Sequence, residues 1–152
     1  MHVTARSDYA VRALAELASA SGSTYHTVEE LAEAQRLPVK FLEAILTQLR
    51  RSGLLESRRG ATGGFRLARP ASEISVADVM RAVDGPLAAV RGLRPEDTAY
   101  DGAAMSLPLV WIAMRAAVRD VLESVSLADI ASGSLPKHVA SLTSDDSAWH
   151  RR

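Results

Sequence analysis

The clearest structural signal in the chain is the segment Gly53-Leu54-Leu55-Glu56-Ser57-Arg58-Arg59-Gly60-Ala61-Thr62-Gly63-Gly64-Phe65-Arg66-Leu67-Ala68. Residues 54–58 have the composition of a short strand, and residues 65–68 alternate in the manner of a returning strand. The glycines within 60–64 are typical of a loop tip between two strands. The segment therefore predicts a β-hairpin whose tip is rich in glycine and arginine.

Three helices are predicted ahead of this hairpin, and the first two are indicated by their caps. Thr4 is a suitable N-cap for the first, which extends to about residue 20, and Gly22 lies beyond its end. Thr27 and Glu30 have the spacing of a capping box, in which the Thr hydroxyl accepts from the third helical amide and the Glu side chain returns to the cap. A short second helix is therefore expected from residue 28 to about residue 34.

A third helix is predicted from Pro38 to about Ser52, because a proline N-terminus needs no N–H partner and Gly53 is a typical stop. Helical spacing gives this helix two faces. The expected buried face consists of Phe41, Leu42, Ile45, Leu46 and Leu49, and the expected exposed face consists of Lys40, Glu43, Thr47 and Arg50. Helix, short helix, helix and hairpin in this order predict a winged helix-turn-helix, so we expect a mainly α fold with a small β-hairpin wing.

The rest of the chain predicts a long helix outside this small domain. Ser75 and Asp78 have the spacing of a second capping box, which opens a helix that ends by Gly85. From residue 107 to 125 the apolar residues follow a helical stripe, and so amphipathic a helix needs a partner surface. The expected organisation is a winged helix-turn-helix domain at 1–85, a loop at 86–106, the long helix and a short following helix at 107–131, and a flexible tail at 132–152.

The charged residues are unevenly distributed, although the formal net charge is zero. Residues 1–35 carry a net charge of −3, residues 36–69 carry +6, and residues 70–152 carry −3. The positive segment contains the third helix and the hairpin, two elements that a winged helix presents on one side. A local basic surface is therefore expected in spite of overall neutrality.

The third helix and the hairpin tip form the predicted DNA-binding surface. In a helix-turn-helix the second helix of the motif enters the major groove, where a lysine donates to guanine and a glutamate accepts from cytosine. Arginines beside glycines at a hairpin tip can closely approach phosphates or a narrow minor groove. The predicted DNA-binding residues are Pro38, Val39, Lys40, Glu43, Thr47 and Arg50 in the helix, and Arg58, Arg59, Gly60, Gly63 and Gly64 in the hairpin.

A different class of function stays open on the same residues. Lys40 and Glu43 are also compatible with an ordinary solvated helix face, and the hairpin glycines and arginines with a soluble turn. The chain would then be a winged-helix module for protein–protein interaction, controlled by a partner protein or a small metabolite. An enzyme is not indicated, because no nucleophile–base pair is evident and the glycines join two strands instead of opening a helix as a phosphate loop does.

Five segments resemble the Rrf2 family of bacterial transcription regulators, within a likeness that spans about residues 1–130. They are SDYAVRAL at 7–14, LPVKFLEAIL at 37–46, GLLESRRG at 53–60, GGFRLA at 63–68 and ISVADV at 74–79. The resemblance implies a sequence-specific DNA-binding regulator, most simply a repressor, that acts as a homodimer on a palindromic operator of double-stranded DNA. By matching position it implies Glu43 as the base-reading carboxylate and Arg59 with Gly60 as the wing tip.

The same resemblance implies that the dimer is joined through the long helix. The expected interface residues are Leu107, Val110, Trp111, Met114, Val118, Val121 and Leu122. Trp111 is expected in the dimer core, and the alternative is that its ring lines an effector pocket.

The chain contains no cysteine, which excludes disulfides, zinc ribbons and cysteine-ligated iron–sulfur clusters. Well-known members of the family hold a cluster through cysteines in the loop before the long helix, so this chain departs from their pattern. It resembles instead a cysteine-free branch, which implies control of cysteine and sulfur metabolism genes through a small-molecule effector or a partner enzyme. The four histidines are scattered and indicate no metal site, so we expect no metal and no cofactor.

The longest uninterrupted apolar run covers residues 107–114. A membrane span requires roughly 20 apolar residues, and the N-terminus begins with polar and charged residues instead of an apolar signal core. We therefore expect a cytoplasmic protein with no membrane partner.

Overall fold

The computed structural model describes residues 2–20 and 23–150, and within these ranges it contains helices and one β-hairpin. The elements are α1 (Ala5–Ser19), α2 (Val28–Gln35), α3 (Val39–Arg51), β1 (Leu55–Arg58), β2 (Gly64–Leu67), α4 (Val76–Asp84), α5 (Leu107–Ser124), α6 (Leu127–Ser132) and α7 (Lys137–Leu142). This order confirms the predicted fold class, a mainly α chain with a β-hairpin wing. Gly22, the expected stop of the first helix, lies outside the described residues.

The predicted starts of α1, α2 and α4 are confirmed by hydrogen bonds at their caps. Thr4 accepts from the amide of Ser7 at 3.0 Å, which begins α1. Thr27 and Glu30 form the predicted capping box of α2, with bonds of 3.2 and 2.8 Å. Each box satisfies amides that the first helical turn would otherwise leave without partners. The same device opens α4 and α6 through the pairs Ser75/Asp78 and Ser126/Asp129.

The helix α3 begins one residue later than the sequence suggested, at Val39 instead of Pro38. The Pro38 ψ of 118° is extended, so Pro38 is the N-cap. Proline still suits this position, because it has no N–H group that requires a hydrogen-bond partner.

A single core joins the helices of the winged-helix domain. Its members are buried apolar side chains of α1, α2, α3 and α4 together with Leu54 and Leu55 at the start of the wing. Four of the five residues expected on the buried face of α3 belong to it: Leu42, Ile45, Leu46 and Leu49. Phe41 does not, since its side chain is 39% exposed and meets the ring of Tyr9 edge to face at 5.6 Å. A position at the margin of a helical stripe does not reach the core when the neighbouring helix covers only its centre.

The wing is an antiparallel pair with Leu55 opposite Leu67 and Arg58 opposite Gly64. Residues 59–63 connect the two strands. A third segment of backbone joins the sheet at one position, because His26 and Phe65 exchange two amide–carbonyl bonds of 2.9 and 2.8 Å. The wing is therefore fixed to the segment that leads into α2.

The C-terminal part of the chain differs from the expected organisation in two ways. Leu127 of α6 is fully buried in the winged-helix core, and the amide of Leu127 donates to the Ile74 carbonyl at 2.9 Å. The short helix after the long one thus packs back onto the first domain. Residues 132–152 were expected to be a flexible tail, but α7 forms after Pro136 because Val139 finds a buried position. A 3-10 turn follows at Asp146–Ala148.

The expected loop at 86–106 contains two further 3-10 turns, Pro95–Asp97 and Gly102–Ala104. In the described part of the chain, no helix combines the length and apolar character that crossing a membrane requires.

Candidate nucleic-acid interface

A tight turn of three residues sets the angle between α2 and α3. Arg36 adopts a left-handed conformation with φ 52° and ψ 52°, which is uncommon for a residue with a side chain. The turn is held by the Leu37 amide, which donates to the Ala32 carbonyl at 2.8 Å, and by burial of the Leu37 side chain. This geometry orients α3 as the second helix of a helix-turn-helix.

The residues predicted to read bases share the outer face of α3. Val39, Lys40 and Glu43 are exposed near the N-terminus of the helix, next to the exposed Pro38. Within the described residues, the side chains of Lys40 and Glu43 form no hydrogen bond or ion pair with the chain. Their charged groups are therefore available to an external partner.

The other two predicted residues of α3 lie further along the same face. Thr47 is half-buried, and Arg50 is exposed with its guanidinium 3.3 Å from the Ser57 hydroxyl of the wing. Arg50 thus links α3 to β1, which places helix and wing side by side on one surface.

Arg58 is organised by the wing itself. Its guanidinium donates to the Thr62 carbonyl at 2.6 Å, across the hairpin tip, and lies over the Tyr25 ring at 4.5 Å. Arg66 lies over the same ring at 4.8 Å. Tyr25 therefore contacts two guanidinium groups, and its ring attracts both cations.

Arg59 and Gly60 lie in the connection between the two strands of the wing. Arg59 is exposed and, within the described residues, has no hydrogen-bond or ion-pair partner. Gly60 has a φ of 102° and open space where a Cβ would stand. The backbone at Gly60 can therefore approach a ligand surface closely while Arg59 stays free to bind it.

Gly63 and Gly64, also predicted as DNA-binding residues, lie where neighbouring backbone leaves no room for a side chain. A Cβ on Gly63 would stand 2.2 Å from the Arg58 carbonyl oxygen, and Gly63 is buried. A Cβ on Gly64 would stand 2.3 Å from the His26 carbonyl oxygen. These two glycines allow the hairpin to close on itself and on the preceding segment, and so shape the tip that carries Arg59.

The basic segment at 36–69 keeps most of its charge unpaired. Arg66 forms a salt bridge of 2.8 Å with Glu56, and this hydrogen bond is the main reason that the pKa of Arg66 is raised above its ordinary value. Arg69 lies 3.8 Å from Asp78. In the described ranges, the six cations without an ion pair are Arg36, Lys40, Arg50, Arg51, Arg58 and Arg59. Such a surface attracts a polyanion even on a chain with no net charge.

Comparison with known families places the chain. The family model described as Rrf2, iron-dependent transcriptional regulator, matches residues 3–133. The chain belongs to the Rrf2 family. It is accordingly a DNA-binding transcriptional regulator with a winged helix, as the sequence predicted.

The chain aligns with relatives of the Rrf2 family over most of its length. It is 50% identical over 145 residues to Rv1287 of Mycobacterium tuberculosis, a protein named as a candidate HTH-type transcriptional regulator, with 95% of this chain and 90% of the relative covered. It is 32% identical over 132 residues to CymR of Bacillus subtilis, which covers 87% of this chain and 91% of the relative.

Solved structures of the family have the same fold. The structure of B. subtilis CymR, described as the global cysteine regulator, superposes with a TM-score of 0.74 and covers 87% of this chain and 97% of its own at 30% identity. The IscR structure from T. potens superposes with a TM-score of 0.69 and covers 100% and 93% at 28% identity.

The iron in the Rrf2 family's description does not fit the residues of this chain. Iron–sulfur clusters are held mainly by cysteine thiolates, and the chain has no cysteine. Within residues 2–20 and 23–150, no three His, Asp or Glu side chains are grouped so that they could hold a metal ion. We therefore derive no role for iron in this member of the family.

The predicted dimer helix carries an apolar stripe that the single chain covers only in part. Over the length of α5 no side chain is fully buried, and Val110 of the predicted interface is 54% exposed. The other predicted interface residues are half-buried, namely Leu107, Trp111, Met114, Val118, Val121 and Leu122. Trp111 donates its ring N–H to the Tyr100 hydroxyl at 3.2 Å, so the indole is tied to the preceding loop.

Sequence reasoning missed two residues that support the surface formed by α3 and the wing. Tyr25 lies in an irregular segment without periodicity, and only the fold shows that its ring contacts both Arg58 and Arg66. Gln48 of α3 donates to the carbonyls of Ala82 and Val83, at 2.7 and 3.2 Å, and thus connects the recognition helix to the end of α4. No sequence signal identifies such partners, because they are distant along the chain.

Proposed function

We propose that the protein is a homodimeric repressor that binds a palindromic operator with α3 in the major groove and the wing against the flanking backbone and minor groove. The observation that carries this proposal is the single surface formed by α3 and the wing, on which Lys40, Glu43 and Arg59 are exposed and have no partners among the described residues. Free charged groups on adjoining elements match the two tasks of base reading and phosphate binding.

Base reading falls to the N-terminal turn of α3. Lys40 is suited to donate to the O6 and N7 acceptors of guanine, and Glu43, three residues further on the same face, to accept from the N4 amine of cytosine. Val39 is 41% exposed beside them and offers methyl groups to the C5-methyl of thymine. Thr47 and Arg50 lie further from the N-terminus and suit contacts to the phosphate backbone.

The wing contributes affinity in place of base specificity. Arg59 is free to bind a phosphate bidentately or to enter a narrow minor groove, whereas Arg58 is already engaged with Thr62 and Tyr25. Gly60 lets the backbone come close, and Gly63 and Gly64 keep the tip in this shape. This division of roles among the hairpin residues follows from their different surroundings.

A second copy of the chain is the proposed cover for the stripe on α5. Two copies joined through this helix would present two α3 helices, which suits a palindrome with half-sites about one helical turn apart. The exposure of Val110 supports this arrangement, since a monomer would leave this apolar side chain of the stripe largely in water.

The regulated genes are proposed to belong to cysteine and sulfur metabolism. This proposal is supported by the 32% identity to CymR and by the cysteine-free sequence. Control would come from a small-molecule effector or a partner enzyme, and the site of action would be the bacterial cytoplasm, where the operator is.

Selection of binding sites from a randomised duplex pool tests the function. The purified chain is incubated with the pool at low and at near-physiological salt, and bound duplexes are sequenced over successive rounds. Enrichment of a two-fold symmetric site supports the proposal. Negligible binding of any duplex at low salt contradicts it and favours a protein-interaction module.

A further inference from the structure

A cleft of about 550 Å³ lies between the end of α4, the loop that follows and the middle of α5. This volume falls within the range of small-molecule sites. Four arginines line the cleft, one from α4, one from the loop and two from α5: Arg81, Arg94, Arg115 and Arg119. Only one carboxylate, Glu96, lines it with them.

Two of the arginines share a single carboxylate outside the cleft. Arg81 forms a salt bridge with Glu123, and Arg119 binds the same carboxylate at 2.9 Å. Both guanidiniums lower the pKa of Glu123 through these hydrogen bonds, and the hydrogen bond from Arg81 has the larger effect. Asp78 lies 4.0 Å from Arg81 but is itself shared with Arg69, so it does not change the balance.

The other two arginines face Glu96. Arg115 forms a salt bridge of 2.6 Å with it. The side chain of Arg94 forms no hydrogen bond or ion pair within the described residues, and acts on Glu96 only through space. The pKa of Glu96 is lowered by its own backbone amide first, then by Arg115 and more weakly by Arg94. Two carboxylates, Glu96 and Glu123, thus neutralise two of the four guanidinium charges, which leaves an excess of two positive charges around the cleft.

We propose that this cleft binds a small metabolite with two anionic groups, carboxylate or phosphate, and that this ligand is the effector of the regulator. The role as effector rests on the function proposed above. Guanidiniums bind such groups bidentately, and Arg94 is the one that can turn to a ligand without losing a partner. The wall formed by Pro86, Leu87 and Ala88 suits the carbon part of the ligand.

The position of the cleft gives it a direct physical route to the recognition helix. Arg81 precedes Ala82 and Val83, whose carbonyls accept the two bonds from Gln48 of α3. A ligand that moves the end of α4 would therefore move or release α3. Because coupling is reciprocal, DNA must change the affinity for the ligand by the same factor.

Calorimetric titration of the full-length chain without DNA tests the site. The probes are inorganic phosphate and succinate, each at an ionic strength matched with potassium chloride. The variants are Arg94→Gln and Arg119→Gln, and the matched control is Lys137→Gln, which removes one exposed charge on α7. We expect saturable binding of at least one probe to the wild type and the control, weakened tenfold or more in both arginine variants.

The outcomes separate the ligand classes and the two proposals. Binding of phosphate alone assigns a phosphate-bearing effector, and binding of succinate alone a dicarboxylate. No saturable binding of either probe, or equal binding by wild type and Arg94→Gln, overturns the site.

Fluorescence anisotropy with the selected duplex then measures DNA affinity with and without the probe. A change in the wild type that is lost in Arg94→Gln supports the effector role, and an equal change in both overturns it. Intact DNA binding without a saturable anion site refutes only this inference, whereas anion binding without DNA binding refutes the proposed function.

Discussion

The side-chain amide of Gln48 in α3 donates to the backbone carbonyl of Ala82 in α4 at 2.7 Å. It also donates to Val83 at 3.2 Å, while its carbonyl oxygen accepts from Arg6 of α1. Carbonyls in the last turn of a helix have no partner within that helix. Gln48 therefore supplies hydrogen-bond donors to the carbonyls at the end of α4. One half-buried side chain therefore holds the recognition helix, α1 and the arginine-lined cleft together.

Replacement of Gln48 by alanine should lower stability and uncouple the cleft from DNA. Loss of the hydrogen bonds predicts a decrease of about 1–2 kcal/mol in the free energy of unfolding, measured by urea titration. Gln35→Ala is the matched control, because Gln35 bonds Glu16 and Arg12 but contacts no residue of α4 by hydrogen bond. Both variants should lose stability, and only Gln48→Ala should lose the effect of the anion on DNA affinity; equal coupling in both would refute the proposed route.

Arg59→Ala should weaken binding to every DNA sequence alike. Arg59 is an exposed cation without a partner among the described residues, and a lost phosphate contact removes about one unit from the slope of log K against log salt. Anisotropy with a specific and a scrambled duplex at several salt concentrations measures the slope. An unchanged slope would exclude Arg59 from the interface, and Lys137→Ala controls for the loss of net charge.

Glu43→Ala should relax base preference with little change in non-specific affinity. The carboxylate is exposed on the outer face of α3, and one correct base contact contributes about 1–3 kcal/mol of discrimination. Competition between duplexes that differ at one base pair measures this discrimination. Glu33→Ala removes an exposed carboxylate from α2 and serves as control; the same relaxation in both variants would argue against base reading by Glu43.

Gly63→Ala should damage the wing more than Gly60→Ala does. At position 63 the new Cβ would meet the Arg58 carbonyl oxygen at 2.2 Å, whereas at position 60 it meets nothing and only the φ of 102° is strained. Overpacking against backbone costs about 1–3 kcal/mol. Thermal unfolding and anisotropy should show both a larger loss of stability and a larger loss of DNA affinity for Gly63→Ala. The reverse order would show that the tip closes differently.

Val110→Asp should break the dimer without unfolding the chain. Val110 is 54% exposed in the single chain, so its replacement disturbs no intramolecular core, but a carboxylate on the stripe would be buried unpaired in the dimer. Ala116→Asp introduces the same charge on the opposite face of α5 and should leave the dimer intact. Sedimentation velocity distinguishes the two species. A dimeric Val110→Asp variant would place the interface elsewhere.

Local signals in the sequence were sufficient for most of the fold. The capping box of Thr27 and Glu30 and the glycine-rich hairpin depend on residues close together in the chain, and both were predicted correctly. The exposure of Phe41 and the burial of Leu127 were not, because each depends on which distant helix covers which surface. Burial of α7 around Val139 has the same explanation.

The candidate interface divides in the same way. Lys40 and Glu43 could be located from helical spacing, and the structure does place them on an exposed face. The close backbone packing of Gly63 and the contact of Tyr25 with two guanidiniums require the folded hairpin, since they depend on close approaches between separate segments. The arginines of the cleft come from α4, a loop and α5, and no spacing rule brings them together.

Hydroxyl-radical footprinting of the wild-type chain on its selected duplex tests the central claim most directly. The account predicts two protected patches related by a dyad, about one helical turn apart from centre to centre, each extended on its outer side by the wing. Loss of this outer protection in Arg59→Ala would assign it to the wing. A single asymmetric patch, or no protection at salt concentrations where basic surfaces bind DNA, would contradict a homodimer that reads a palindrome with α3 and the wing.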